Sequence, residues 1–351
     1  MDFTFSDEAE DAAALAATIL KDHTRPERLT EVEAGGSRFD PELWRALSEA
    51  FDGAELELIE LCRVLVEVGR TVAPVPLATD AIARLFLGEH GIAGPSGVLS
   101  CAIAEEHEHA PAVPTTTAAE DGDQTVLTGT KYLVPAATVA DAFLVSASTG
   151  SGPAVFLVDA GSPGLSIGEQ HLSDGDVVGQ LELDGVRVPA DRQVGPEDGG
   201  AEAARRLVDL LTVASCAVQL GVTEGAVALT SQYAKTREQF DRPIATFQAV
   251  SQRLADGYID TRLQALTVWQ AAWRLDERLP AEDAIATAKL WAADAGHRIA
   301  HTTVHIHGGV GVDMDGEAHC YFTAAKRYEF EHGGATEQAL RLGRLLAAGP
   351  A

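Results

Sequence analysis

Positive charge is scarce in this chain. Its 351 residues hold 26 Lys and Arg against 53 Asp and Glu, for a net charge of −27. A nucleic-acid surface needs concentrated positive charge, so that class is excluded. Cysteine is also scarce. Cys62, Cys101, Cys216 and Cys320 lie far apart and no CxxC occurs. A disulfide framework is therefore not expected, and buried thiols in a reducing compartment are. The opening MDFTFSDEAED is acidic, with no basic segment leading into an apolar core. No leader or membrane span is expected, which makes the cytoplasm the default location. Phosphate-binding loops are missing too. GGVGVD has neither the Lys nor the Ser/Thr of such a loop, and it follows a helical run rather than a strand. No fixed-period repeat is present.

What is there falls into three stretches. Residues 1–96 read as helices. Ser6 is a candidate N-cap, with Leu15, Ile19 and Leu20 near one face of the helix that follows. Asp40 before Pro41 opens another helix, carrying Leu43, Trp44 and Leu47 inward. Ala54 to Val68 repeats apolar residues at helical spacing, GRTVAPVP breaks the run, and Pro76 to Leu87 starts again. Residues 97–200 change character: GVLSCAIAE, TVLTGTKYLVPAA, ADAFLVSAS, PAVFLVDA and GQLELDGVRVP are short β-branched segments separated by turn residues. HEHAPAVPTTTAAEDGDQ reads as a loop or ragged edge. Residues 201–351 return to long helical stretches.

Within that last region, REQFDRPIATFQ is out of character for an alanine-rich helix. Arg237 offers a fork of donors suited to phosphate, Phe240 an apolar cover, and Gln248 an amide that both donates and accepts. The same stretch also reads as a plain helix end, with Phe240 in the core and Pro243 opening the next helix. His305, Gly308 and Gly309 form a second candidate, because glycines let a backbone approach a ligand closely. His301, His305 and His307 invite a metal reading, but no neighbouring Cys or carboxylate completes a familiar zinc set. No metal is expected.

At REQFDRPIATFQAVSQRLAD the sequence resembles the acyl-CoA dehydrogenase family, which commonly carries R-x-x-F-G-x-x-I followed by a Gln. TGTKYLVPAATVADAFLVSAS, VHIHGGVGVDMD and CYFTAAKRYEFEHGGATEQALRLG resemble further family segments, and the resemblance covers nearly the whole chain. It implies an α+β fold: an N-terminal helical domain (1–96), a middle β-barrel-like domain (97–200) and a C-terminal four-helix bundle (201–351). It implies FAD as cofactor and oxidation of an acyl-CoA to a 2-enoyl-CoA, with an electron-transfer flavoprotein as acceptor. It implies that Arg237, Phe240 and Gln248 contact the adenosine-diphosphate end of the FAD held by a neighbouring subunit, and that His305, Gly308 and Gly309 also bind the cofactor. Asp241 replaces the family's Gly after the Phe.

The resemblance also marks what is missing. The family's catalytic glutamate stands at one of two positions. The first is occupied here by Gly333, with Glu331 and His332 just out of register. The second is occupied by Leu211, with Thr212 beside it and Asp209 the nearest acid. Neither Gly nor Leu can act as a base, so no catalytic residue is assigned. The flavin-facing stretches of the middle region depart from the family pattern as well. These losses imply a base-lacking chain that completes the FAD site of a homologous catalytic partner in a heterotetramer, as in bacterial steroid side-chain degradation. Acyl-CoA would then bind the partner. Two alternatives stay open: a self-sufficient dehydrogenase using Asp209 or Glu331 as a displaced acid, and a flavin-free binding or scaffolding relative.

Overall fold

The computed structural model describes residues 4–196, 200–314 and 316–349. Met1–Phe3 of the expected first-helix stretch and Asp315 of the glycine-turn stretch lie outside the described residues.

Helix α1 (Asp7–His23) begins where expected, with the Ser6 side chain accepting from the Ala9 amide. Its buried face is Ala9, Ala12, Ala13, Ala16 and Leu20. Leu15, expected inward, is exposed. It stands one residue off the row formed by positions 12, 16 and 20. Helix α2 (Pro26–Ala34) was not anticipated; its one buried residue is Val32. Helix α3 (Pro41–Ala50) starts at Asp40, whose carboxylate accepts from the Glu42 and Leu43 amides and from Arg28 in a fork, at 2.7 and 2.8 Å. Leu43 and Leu47 point inward as expected, while Trp44 is half-buried. Helix α4 (Leu58–Arg70) begins four residues later than the periodicity suggested, after a turn at Phe51–Gly53. Helix α5 (Leu77–Glu89) follows.

The middle of the chain is a mixed eight-stranded sheet. Its strands are β1 (Leu99–Ala102), β2 (Thr117–Asp121), β3 (Gln124–Val134), β4 (Ala142–Thr149), β5 (Gly152–Asp159), β6 (Leu165–His171), β7 (Val177–Pro189) and β8 (Gln193–Val194). The order is β6-β7-β3-β2-β4-β5-β8, with β1 paired to β4. β4 takes β1 and β2 as parallel neighbours, and the other pairings are antiparallel. Leu127, Phe143, Val145, Phe156, Val158, Leu181 and Leu183 fill its core. β2 lies inside the stretch expected to be a loop. It buries only Ala118, so its sequence carries no alternation; backbone pairing to β3 across a tight turn at Gly122 holds it in place.

The C-terminal region opens with α6 (Gly200–Thr236). A two-residue hairpin of β9 (Glu238–Gln239) and β10 (Arg242–Pro243) follows. Then come α7 (Gln248–Asp276), α8 (Glu282–His307), α9 (Glu317–Phe330) and α10 (Ala335–Ala348). The buried Gln219 of α6 donates to the carbonyls of Ala292 on α8 and Ala325 on α9, at 3.3 and 3.0 Å. Thr223 donates to Gln264 of α7 at 2.9 Å. Ala226, Ala295 and Ile299 close the packing between α6 and α8. α6 is long and apolar enough to cross a membrane, but 89% of its most apolar window is buried, as in a core helix.

The chain forms two compact units: residues 1–36, 40–75 and 212–351, and residues 37–39 and 76–211. In the first, α4 and α6 cross with backbones nearly touching. A Cβ at Gly69 would fall 2.0 Å from the Val218 carbonyl oxygen, and one at Gly221 would fall 2.0 Å from that of Val66. Only glycine fits either position.

Candidate functional site

The REQFDRPI stretch is a hairpin at the end of α6. Arg242 pairs with Gln239 and Pro243 with Glu238, leaving Phe240 and Asp241 as the turn. Both have positive φ, 53° and 60°. A two-residue turn of this kind needs that conformation at both central positions. Asp tolerates it at modest cost, which accounts for Asp241 where the family carries Gly. Phe240 is 85% exposed at the tip. The alternative that put it in the core is therefore wrong: a hairpin tip projects from the helix end rather than folding back on it. Its ring meets the edge of Phe247, at 6.1 Å between centroids. Arg242 lies over Phe247 at 4.1 Å, a cation–π contact that stiffens the hairpin base. Arg237 and Gln248 are exposed.

The glycine turn stands at the same end of the first unit. Tyr233, one helical turn before Arg237, stacks on the imidazole of His307 at 4.2 Å. His307 is the last residue of α8, so the ends of α6 and α8 meet there. Gly308 has φ +66° and ψ −138°, a conformation that favours glycine. A Cβ at Gly308 or Gly309 would meet nothing within 4 Å, so open space fronts the turn. His305 is exposed. His307 is buried, its Nδ1 2.8 Å from the Thr303 carbonyl oxygen. An exposed cation, an exposed aromatic and an open glycine turn share one end of the fold. This donor set fits the diphosphate and adenosine of a dinucleotide that approaches from outside the chain.

The two positions where a base would stand are different in kind. Leu211 and Thr212 are buried in α6. Asp209 is buried as well, with Arg205 3.9 Å away. The turn after α9 is pinned from three sides. Glu331 accepts from Ser215 Oγ at 2.9 Å. Gln338 donates to the His332 carbonyl at 3.0 Å. Lys289, wholly buried, donates to the carbonyls of Tyr328 and Glu329 at 2.6 and 3.2 Å. Burial lowers the Lys289 pKa, against the pull of the nearby Cys216 and Glu331. A lysine on the last carbonyls of a helix suits their partial negative charge. Gly333 follows with φ +94°, and a Cβ there would lie 2.7 Å from the Glu337 carboxylate. Lys289 and Ser215 were not picked out from the sequence. The only trace was a lysine at a core position of an apolar helix, in ATAKLWAAD.

In the second unit, the Lys of the TGTK stretch is structural. Lys131 is wholly buried and donates to Glu105 at 2.7 Å, Ser146 at 3.0 Å and the Ile103 carbonyl at 3.3 Å. Glu105 also accepts from Thr115 and Thr116. Burial would raise the Glu105 pKa, but Lys131 and the threonine donors outweigh it and hold the carboxyl at about 2. The loop between β1 and β2, which departs from the family pattern, is thus organised around an ion pair. All four cysteines are buried, as expected. Burial pushes the Cys101 and Cys216 thiols up to about 12 and that of Cys62 up as well, which makes these three poor nucleophiles.

A helical N-terminal part, a central β sheet and a C-terminal helix bundle define a class of dehydrogenase fold. The chain belongs to the acyl-CoA dehydrogenase family. Residues 101–186 match the acyl-CoA dehydrogenase middle domain and residues 198–345 the acyl-CoA dehydrogenase C-terminal domain. Over 100% of both chains it is 45% identical to acyl-CoA dehydrogenase FadE27 of Mycobacterium tuberculosis. It is also similar to a chain in the crystal structure of the ChsE4-ChsE5 complex from Mycobacterium tuberculosis, with a TM-score of 0.93, 44% identity and 100% of both chains covered. A third likeness is to the Tcur3481-Tcur3483 steroid acyl-CoA dehydrogenase G363A variant, with a TM-score of 0.89 and 40% identity over 97% of this chain and 98% of that one.

Proposed function

We propose that this chain is the base-lacking subunit of a heteromeric, FAD-dependent acyl-CoA dehydrogenase. A homologous partner supplies the catalytic base and binds the acyl-CoA, whose oxidation gives a 2-enoyl-CoA. FAD, when bound, supplies the hydride acceptor. Arg237 neutralises the diphosphate, Phe240 covers an apolar edge, and Gln248 and the Gly308–Gly309 backbone receive the adenosine portion. His305 stands beside that turn. The substrate is a steroid or similarly bulky acyl-CoA, by likeness to the steroid enzyme above, the acceptor is an electron-transfer flavoprotein, and the location is cytoplasmic. The proposed domains are 1–96, 97–200 and 201–351.

The observation that carries the reading is Gly333. It sits in a pinned turn, at a backbone conformation unsuited to glutamate, at the position the resemblance gives to the family's base. A second observation supports a partner. Tyr258, Ile259 and Leu266 of α7 are at least half exposed, and Phe240 stands bare at the hairpin tip. Such apolar surface is covered in working assemblies.

The test is Arg237→Ala in the assembled complex. FAD content and affinity should fall while assembly persists. Full FAD occupancy with unchanged affinity would remove the assigned contact. Asp241→Gly should leave binding unchanged or tighter, because it removes a carboxylate and eases the turn.

A further inference from the structure

One group of chemically matched side chains has no part in the site described above. Glu33 lies in the last turn of α2, while His319 and Cys320 lie in the first turn of α9. One donor atom from each falls within 4.8 Å of the others. It is the one group of three such donors among the described residues. Cys320 Sγ is 3.5 Å from His319 Nε2 and 4.0 Å from Glu33 Oε1.

We infer that Glu33, His319 and Cys320 form a three-ligand site for a divalent transition metal, zinc being the best match. A soft thiolate beside an imidazole favours zinc over magnesium or calcium. The donors are close enough for side-chain movement to bring them onto one ion. Zinc–sulfur and zinc–nitrogen bonds of about 2.3 and 2.0–2.1 Å, meeting at a tetrahedral angle, put sulfur and nitrogen about 3.6 Å apart. Cys320 Sγ lies 3.5 Å from Nε2 and 3.9 Å from Nδ1 of His319, beside the ring, so the thiol must turn towards the Nε2 lone pair to share a metal with it. Glu33 must close on the sulfur by only about 0.5 Å.

The surroundings support the same conclusion. His319 Nδ1 is 2.5 Å from the Gly316 carbonyl oxygen. A carbonyl can only accept, so the ring proton sits on Nδ1 and Nε2 keeps the lone pair a metal would need. Metal-binding histidines are characteristically oriented by such a carbonyl. His319 and Cys320 are buried and Glu33 is half-buried, which leaves the fourth position to water from the solvent side. On binding, the metal replaces the Cys320 thiol proton, which leaves to solvent; no electron moves. The site also gives α2 an anchor. That helix is nine residues long, has no side-chain N-cap and buries only Val32, and short helices are marginal without tertiary contacts. A metal there joins α2 to α9 across 287 positions of sequence.

The experiment is titration of the full chain with Co²⁺, read by absorbance, and with Zn²⁺, read by calorimetry. Wild type should take up one equivalent of Co²⁺, with visible bands of tetrahedral type and a thiolate-to-metal charge-transfer band. Cys320→Ser should abolish the charge-transfer band, while Glu33→Gln and His319→Gln should each weaken Zn²⁺ binding by about 10-fold or more. Cys101→Ser, in the other unit, should change nothing. Hydrogen exchange over residues 26–34 should slow when Zn²⁺ is bound. Glu33→Gln is conservative and half-exposed, so it keeps the test meaningful should a buried variant misfold. Absence of stoichiometric uptake by wild type, or affinity unaltered in Glu33→Gln and a charge-transfer band surviving in Cys320→Ser, would overturn the assignment.

Discussion

At the scale of single residues, Gly333 and Lys131 carry the sharpest consequences. Installing the missing acid as Gly333→Glu should not create a working base in this chain. A non-glycine residue at φ +94° costs of order 1–3 kcal/mol, and its Cβ would press on Glu337 and Gln338. The expected outcome is lower stability, read by denaturant titration, with no gain of acyl-CoA turnover. Lys131 lies at the opposite extreme. Lys131→Met leaves Glu105 buried without its cation, and breaking one side of a buried pair costs about 3–5 kcal/mol. The sign with pH follows from the depressed Glu105. Its folded pKa of about 2 lies below its unfolded value. The stability it contributes is therefore complete above about pH 4.5 and lost as pH falls towards 2. Acid titration of unfolding should show a shallower loss over that window in Lys131→Met than in wild type. The sequence marked Lys131 through its TGTK setting but gave no sign of Glu105 as partner, because 26 positions separate them and a turn-rich loop lies between. Asp241 was legible only as a departure; its reason, a hairpin turn with two left-handed residues, is a backbone property that composition does not carry.

At the scale of elements, the crossing of α4 and α6 fixes the frame that holds the Gly333 turn. Gly69 and Gly221 sit where the two backbones meet. Gly221→Ala gains about 1 kcal/mol of helix propensity. Overpacking costs about 1–3 kcal/mol and more when the obstacle is backbone. A Cβ 2.0 Å from a carbonyl oxygen is far inside contact, so the clash wins. Gly221→Ala should unfold at lower denaturant than wild type, and Gly343→Ala, whose Cβ would meet nothing within 4 Å, should not. Such crossings are hard to see in sequence, since Gly221 and Gly225 in LGVTEG look like weak points in a helix rather than a contact face. The long helices themselves were plain, because α6, α7 and α8 each repeat apolar residues over many turns. The short or edge elements were not. α2 buries one residue and β6 buries none fully, so neither leaves a periodic trace. Leu15 shows the same limit within a helix: alanines at positions 12 and 16 form the packed row, and hydrophobicity alone favoured the larger side chain.

At the scale of the whole molecule, the proposal joins the exposed Arg237 hairpin and the open glycine turn to two positions, Leu211 and Gly333, that carry no acid. Net charge is −27, so contact between two copies of this chain should strengthen with salt, which screens repulsion beyond about 10 Å at 0.1 M. Sedimentation at two ionic strengths would show it. Of the site, the hairpin and glycine turn were legible as motifs, and their meeting through Tyr233 and His307 was not. The central claim is that the working base lies outside this chain. Its most direct test is turnover per bound flavin in the assembled complex carrying Asp209→Asn and Glu331→Gln together. A general base contributes roughly 10²–10⁴-fold to rate. The account predicts that turnover stays within about 3-fold of wild type, far inside that range, with FAD content unchanged. Loss of about 100-fold or more, with FAD bound and the complex intact, would place the base in this chain and contradict the account.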